Sequence, residues 1–488
     1  MLISIFLVVF VIEELHENRW LICFFMEKNL MRAHIEIAYP LLGELVLKTA
    51  ASTGRECWTL GCETLDRDYA DFDAYKGYIP QLAVGTLRFQ AGWAKTEKTP
   101  GVYDFSWLDA QVDVAISMGM NPLLETGYGN SIYPGGGGPD IGCGLPTGEG
   151  RQAYFRWVRE MVRHFRGRVR DYAMWNEPDS GRQNQTDVEI VEFNIDTARV
   201  IREELPDARI GALSIADFSN VLRFGRYINL FHERGALNEF DWFIFHSYKS
   251  NPDYIGDVYR TMKSTLAFYG ARGKLRQGEA GCPSELTTRF AMRGYDWTEL
   301  SQCKWDLRHY ITDHALGVDS SIFTICDFNH PQRIKGGPGG EINRKGLLLA
   351  DAEHRVIRPK QSFHAMRCMT TLFDADTLPV EGSKVNVLAE RFSTAYAWRR
   401  RETGDGVLAY WDRSEVPGNG TQPGTAVVVT RDFSFKEPVL VDPVTGRVFE
   451  IPADCIRRDG DLQWFLDLPW LDSPLVIVER RAFGCIMR

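Results

Sequence analysis

Cysteine is sparse and unpatterned. The ten in 488 residues, at positions 23, 57, 62, 143, 282, 303, 326, 368, 455 and 485, include no Cys-x-x-Cys pair and no Cys/His cluster at zinc spacing. This implies no structural zinc of the Cys/His kind and favours free or buried thiols over a disulfide framework. No metal and no cofactor is implied. Long apolar runs are also missing. Residues 2–12 are apolar but too few to span a bilayer, no Lys or Arg precedes them, and Glu13-Glu14 follows, so the charge order of a secretory signal is absent. We read residues 1–33 as an N-terminal extension from an over-extended start, with Met26 or Met31 as initiator. The expected location is cytoplasmic, with secretion as the alternative.

Positive charge is in deficit, with 56 Lys and Arg against 65 Asp and Glu and a net charge of -9. Nucleic acid and anionic membranes are thereby disfavoured as partners, and a homo-oligomer is left open. The run Tyr133-Pro134-Gly135-Gly136-Gly137-Gly138-Pro139 lacks the Lys and Ser/Thr of a phosphate loop, so it reads as a mobile flap. No internal repeat is visible beyond a strand–helix alternation.

That alternation is the main thing present. A first strand at Cys57–Gly61 is followed by a helix at 69–82. Strands at Thr86–Gln90 and Asn121–Glu125 bracket a helix at 105–118. The helix at 151–165 repeats apolar residues at Phe155, Val158, Met161, Val162 and Phe165, one buried stripe, and leads into a fourth strand ending near Met174. Strands at 209–213, 241–245, 275–279 and 321–325 continue the beat, with helices at 188–205, 221–233, 254–269, 302–316 and 360–372. Eight such units over 55–375 predict an α/β fold, a (β/α)8 TIM barrel. From about Leu378 the pattern changes to short strand-like runs separated by turns such as Gly404-Asp405-Gly406. This predicts a C-terminal β-sandwich at 376–488, with residues 34–54 adding a strand to it.

Two glutamates end predicted strands on the barrel face where catalytic groups gather. Glu177 lies in Trp175-Asn176-Glu177-Pro178 after strand four, and Glu279 in Gly278-Glu279-Ala280 after strand seven. A pair of carboxylates facing one another is the equipment of glycoside hydrolysis, one acting as acid and the other as nucleophile or base. The thirteen Trp, 18 Tyr and 28 Phe suit sugar binding, although most such rings belong to the core.

These segments, with Trp93-x-x-x-Glu97-x-x-x-Gly101-x-Tyr103-x-Phe105 and Phe245-His246-Ser247-Tyr248, resemble the retaining glycosidases of glycoside hydrolase clan A over residues 55–375. Pro122–Tyr128 and Asp241–Tyr248 look most like family 39, the β-xylosidase and iduronidase group. The strand-two region is more similar to families 5 and 42, and Gly278-Glu279-Ala280 departs from the Thr-Glu-Tyr usual in family 39.

The resemblance implies an O-glycosyl hydrolase on a carbohydrate substrate, exo-acting on a β-xyloside, β-glucoside or β-galactoside type of sugar. Glu177 would be the acid/base and Glu279 the nucleophile. Arg88 would keep Glu279 ionised, Asn176 would hold the sugar 2-hydroxyl, and His246 and Tyr248, two apart on strand six, would stand beside the nucleophile. Glu125 is read either as a contact to sugar hydroxyls or as a third acid pairing Arg88. Trp93, Tyr128, Trp297 and Phe328 are candidates for stacking on the sugar, and Asp327 for a hydroxyl contact. Two other classes stand beside this one: a non-catalytic sugar-binding barrel, and a barrel enzyme of other chemistry built on a metal.

Overall fold

The computed structural model describes residues 36–52, 58–180, 185–330, 341–420 and 423–487. The extension at 1–33, its apolar run, and Cys23 and Cys57 lie outside them. Of the first 39 residues only 36–39 are described, and these hold no helix or strand.

From Pro40 onward the chain forms one unit. Strand β1 (Leu41–Leu45) precedes a closed barrel of eight parallel strands: β2 (Thr59–Gly61), β3 (Thr86–Gln90), β4 (Asn121–Glu125), β5 (Asp171–Ala173), β6 (Arg209–Ile215), β7 (Trp242–His246), β8 (Lys274–Ala280) and β9 (Asp319–Ile322). Closure is made by β2 against β9, with Thr59 opposite Ser321. The barrel strands are covered on both faces, so β3 is buried at all five positions. Side chains alternate along it: Leu87 and Phe89 join the apolar layer under the helices, while Arg88 and Gln90 take the other face.

The helices cover the barrel as their periodicity requires. Gly148–His164 buries Ala153, Tyr154, Trp157, Val158, Met161 and Val162. Thr186 starts the helix Asp187–Glu204 with a capping box to Glu189. The helix expected at 69–82 is a short turn, Phe72–Tyr75, followed by a 3-10 segment, Lys76–Gln81, because Pro80 supplies no amide hydrogen for a continued ladder. Between β9 and the last barrel helix, Gln361–Leu372, two hairpins intervene that the sequence pattern does not announce: β10 (Phe328–His330) with β11 (Glu341–Asn343), and β12 (Leu348–Ala350) with β13 (Val356–Pro359).

The C-terminal part is a β-sandwich of two antiparallel sheets. One has eight strands and includes Ser393–Arg400, Gly406–Asp412 and Leu475–Glu479; the other has four, among them Gly424–Thr430 and Leu462–Trp470. β1 belongs to the larger sheet, between Arg447–Glu450 and Cys485–Met487. The seven described cysteines whose side chains are placed are all free thiols.

The glycine run is a built loop, contrary to the expected mobile flap. Gly136 accepts from the Asn130 amide at 2.9 Å and donates to the Tyr133 carbonyl at 2.9 Å, and the Gly150 amide donates to Pro134 at 2.9 Å. A Cβ on Gly136 would stand 2.0 Å from the Asn130 carbonyl oxygen. Glycine is needed there for close approach of backbones.

Candidate active site

Strand direction places the ends of β2, β3, β4, β5, β7 and β8 around one cavity of about 190 Å3, lined by Glu63, Gln90, Tyr128, Asn176, Glu177, Tyr248 and Glu279 among others. A larger cleft, about 880 Å3, opens at the opposite end of the barrel, where the strands begin. The carboxylates gather at the smaller one, so the chemistry is sought there.

Arg88 is the hub. Its Nη2 donates to Oε1 of Glu279 at 2.8 Å, to Glu125, and to Oδ1 of Asn176 at 3.3 Å, while its Nη1 donates to Oε1 of Glu63 at 2.6 Å. One guanidinium therefore faces three buried carboxyl groups, and it cannot hold all three ionised at low cost. Burial pushes Glu63 up to about 8 despite Arg88, with Glu279 and Glu125 pushing the same way. Burial likewise raises Glu125 above the usual carboxylate range. Glu279 is the exception: burial pushes it up, but His246, Arg88 and the Tyr248 hydroxyl, which donates at 3.2 Å, hold it below the usual range. The site thus selects Glu279 as its anion.

Glu177 sits on the loop after β5 with φ of 47°, in the left-handed region that non-glycine residues seldom adopt. The conformation is fixed from both sides, its amide donating to Ser214 at 2.9 Å and its carbonyl accepting from Ser180 at 3.1 Å. His246 lies between the two glutamates, its Nδ1 2.9 Å from Oε1 of Glu177 and 3.5 Å from Oε2 of Glu279. Burial disfavours the imidazolium, but the charge of Glu279 and the hydrogen bond to Glu177 prevail and raise its pKa above the ordinary histidine value. Asn176 donates through Nδ2 to the Tyr128 hydroxyl at 2.7 Å, which orients its amide. Glu125 is the third acid on Arg88; Phe328 and Tyr128 line the cavity.

Three expected contacts are not made. Trp93 is buried away from the cavity, its ring stacked between Tyr133 and Trp157 and its indole donating to Glu97 at 2.6 Å. Trp297 packs with Ala280, Cys282 and Trp305 and donates to the Met292 carbonyl at 2.8 Å. Asp327 is held by Lys360 at 2.7 Å, Arg344 at 3.1 Å and the Gly346 amide at 3.0 Å. None of the three lines the cavity.

Other groups line it unannounced. Glu63 stands two residues beyond β2, past the strand end, whereas Glu125 closes β4. Arg67 donates to Gln90 at 2.5 Å and to Asp140 at 3.1 Å, tying the end of the glycine loop to the cavity. Lys345 reaches in from the segment after β11, buried, its pKa lowered by that burial to about 8. No local pattern marks it.

Glu177, His246 and Glu279 offer ligand atoms within 4.8 Å of one another, close enough to hold a metal ion. The donor set fits a cation poorly. A raised pKa favours the charged form of His246, which has no lone pair to give, and the Arg88 guanidinium already occupies Glu279.

No protein-family model and no curated protein matches the sequence of this chain. Solved structures do resemble it. A family 39 glycoside hydrolase from the gut symbiont Bacteroides cellulosilyticus WH2 superposes with a TM-score of 0.60 at 15% identity, covering 87% of this chain and 81% of that one. A monomeric beta-xylosidase from Caulobacter crescentus CB15 gives 0.57 at 15% identity, over 90% and 97%. A family 51 alpha-L-arabinofuranosidase from Bifidobacterium longum gives 0.53 at 10% identity, over 91% and 98%. These likenesses establish the shared fold, barrel and sandwich together.

Proposed function

We propose that this protein is a retaining glycoside hydrolase that cleaves the β-glycosidic bond of a terminal sugar by double displacement. The observation that carries the reading is that Glu177 and Glu279 share one small cavity, with one carboxylate oxygen of each within 4.8 Å of the other, too close for the intervening water of an inverting enzyme. Retaining enzymes hold the two carboxyl groups about 5–5.5 Å apart, whereas inverting ones leave about 6.5–9.5 Å for a water. The resemblance to β-glycosidases of clan A supports the same reading.

In the first step the ionised Glu279 attacks the anomeric carbon while the protonated Glu177 donates to the leaving oxygen. The C–O bond to the aglycone breaks, a glycosyl ester forms on Glu279, and the alcohol leaves. Glu177, now an anion, takes a proton from water, and the resulting hydroxide displaces Glu279. His246 spans the two carboxylates and steadies whichever is charged. Asn176 holds the 2-hydroxyl, a contact that tightens as positive charge develops on the sugar ring. The cavity is below the roughly 300–1,000 Å3 of clefts that enclose drug-sized ligands, which favours one sugar ring and hence exo action.

The test is a panel of aryl β-glycosides (xyloside, glucoside, galactoside, mannoside, fucoside, glucuronide, arabinoside) with the Glu279→Gln variant alongside. Hydrolysis of one glycoside that vanishes in the variant is the expected result. An equally active variant would refute the nucleophile assignment. Silence across the panel would refute exo action on simple glycosides.

A further inference from the structure

Arg276 stands on β8 at the far end of the barrel from the carboxylates, with 8% of its surface exposed. Among the described residues, none accepts a hydrogen bond from its Nε or Nη1. Its guanidinium lies 4.0 Å from the centre of the Trp242 ring, which fixes its plane. The acids near it are already engaged. Asp171 takes both arms of Arg209, at 2.7 and 2.6 Å, and Oδ2 of Asp319 accepts the Trp242 indole at 2.8 Å. A buried guanidinium without acceptors is unfavourable unless something anionic reaches it.

The cleft of about 880 Å3 opens at this point, and Arg276 lines it. Arg202, Arg209, Arg272, Lys274 and Arg401 line it too, against three acids, Asp241, Asp319 and Asp374. Asp374 is spent on Lys48 and Arg400, Asp241 pairs with Arg202 at 3.6 Å, and Arg209 is taken by Asp171, which leaves Arg272, Lys274 and Arg276 against Asp319. On a chain of net charge -9 this is a basic pocket on an acidic protein. Such a pocket concentrates anions, and the planar fork of arginine matches the oxygens of a tetrahedral oxyanion.

We propose that the cleft at the strand-start end of the barrel binds a phosphate group, anchored on Arg276 and gathered by the exposed Arg272 and Lys274. Its volume leaves space beside a phosphate for an organic remainder, so free phosphate and a phosphate ester are both sources of the same chemistry. The site is separate from the proposed glycosidase centre and does not depend on it.

The experiment is titration calorimetry of the full chain at low ionic strength with inorganic phosphate, with glucose 6-phosphate, and with chloride at matched ionic strength. Saturable phosphate binding is expected, weakened about tenfold or more in Arg276→Leu, the loss of one charge-assisted contact. The double variant Arg272→Ala/Lys274→Ala, altered only at exposed positions, should weaken it too, and Glu279→Gln should leave it intact. Tighter binding of the ester would identify a phosphorylated metabolite as the ligand, and tighter binding of inorganic phosphate the free ion. The proposal is overturned if phosphate produces no more heat than chloride, if the double variant binds like the native chain, or if binding disappears in Glu279→Gln.

Discussion

Nδ1 of His246 lies 2.9 Å from Oε1 of Glu177, and that contact ties the two halves of the proposed reaction together. The same ring is 3.5 Å from Glu279 and is the strongest of the neighbours that hold Glu279 below the usual carboxylate range. A carboxylate with a depressed pKa stays ionised until the pH falls through that lowered value. His246→Asn removes the ring whose positive form holds Glu279 down, so Glu279 should protonate at higher pH. We expect activity to fall about 100- to 1,000-fold, as when one preorganised electrostatic partner is removed. The acid limb of kcat/KM should also move to higher pH. An unmoved acid limb would show that His246 does not govern Glu279.

Glu177→Ala separates the two steps. With an activated aryl leaving group the glycosyl ester on Glu279 should still form, and its hydrolysis should slow by about 100- to 10,000-fold. Azide, which needs no base, should restore turnover and yield the β-glycosyl azide. Rescue giving the α-azide instead would exchange the roles of the two glutamates.

Both glutamates are legible in the sequence because each stands at or just past the end of a short strand-like run, which is how a barrel strand presents a side chain to its open end. Trp93 and Trp297 mislead because a tryptophan in a loop looks the same whether it stacks on a sugar or fills the core. Here Trp93 is sealed between Tyr133 and Trp157. Asp327 misleads because β9 already ends at Ile322, and Asp327, just before the first hairpin strand, is held by Lys360 and Arg344 instead of facing the cavity. Glu63 escapes notice because the strand reading stops at Gly61, and Lys345 because its position depends on two hairpins that follow no regular period.

Glu63 should make stability depend on pH in the opposite sense from a salt-bridged acid. Its folded pKa is raised from 4.5 to about 8, so the folded state binds a proton that the unfolded chain has released. The resulting stability is complete below about 4.5 and is lost as the pH rises to about 8. Glu63→Gln keeps the shape and abolishes the titration. Its unfolding free energy should vary less across that window, by about 5 kcal/mol at most. Asp306 and Asp313, each raised by burial to about 8, keep part of the slope. A variant as pH-sensitive as the native protein would show that Glu63 is ionised in the folded state.

Chelation tests the competing use of Glu177, His246 and Glu279 as ligands. Dialysis against EDTA should leave glycoside hydrolysis unchanged, because the proposed reaction runs on the proton of Glu177 and the charge of Glu279, with His246 between them. Loss of activity restored by a divalent ion would transfer the site to metal chemistry.

Asp253 and Arg308 should decide how firmly the barrel and the sandwich are joined. Arg308, on the barrel helix Glu299–Ala315, donates to Asp253 through Nε at 2.8 Å and to the Glu415 carbonyl at 3.1 Å. The other oxygen of Asp253 accepts from Thr394 at 2.9 Å and from the Trp411 indole at 2.7 Å, both on sandwich strands. The side chains of Arg308, Asp253, Thr394 and Trp411 are buried, so Asp253→Ala takes the charge partner from Arg308 and the acceptor from two further donors at once. The cost should be about 3–5 kcal/mol in guanidinium chloride denaturation. The double variant Asp253→Leu/Arg308→Met removes both charges together and should cost less than the two single changes combined. If Asp253→Ala alone lies within about 0.5 kcal/mol of the native protein, as surface substitutions do, the joint is carried by apolar packing and the ion pair adds nothing to it.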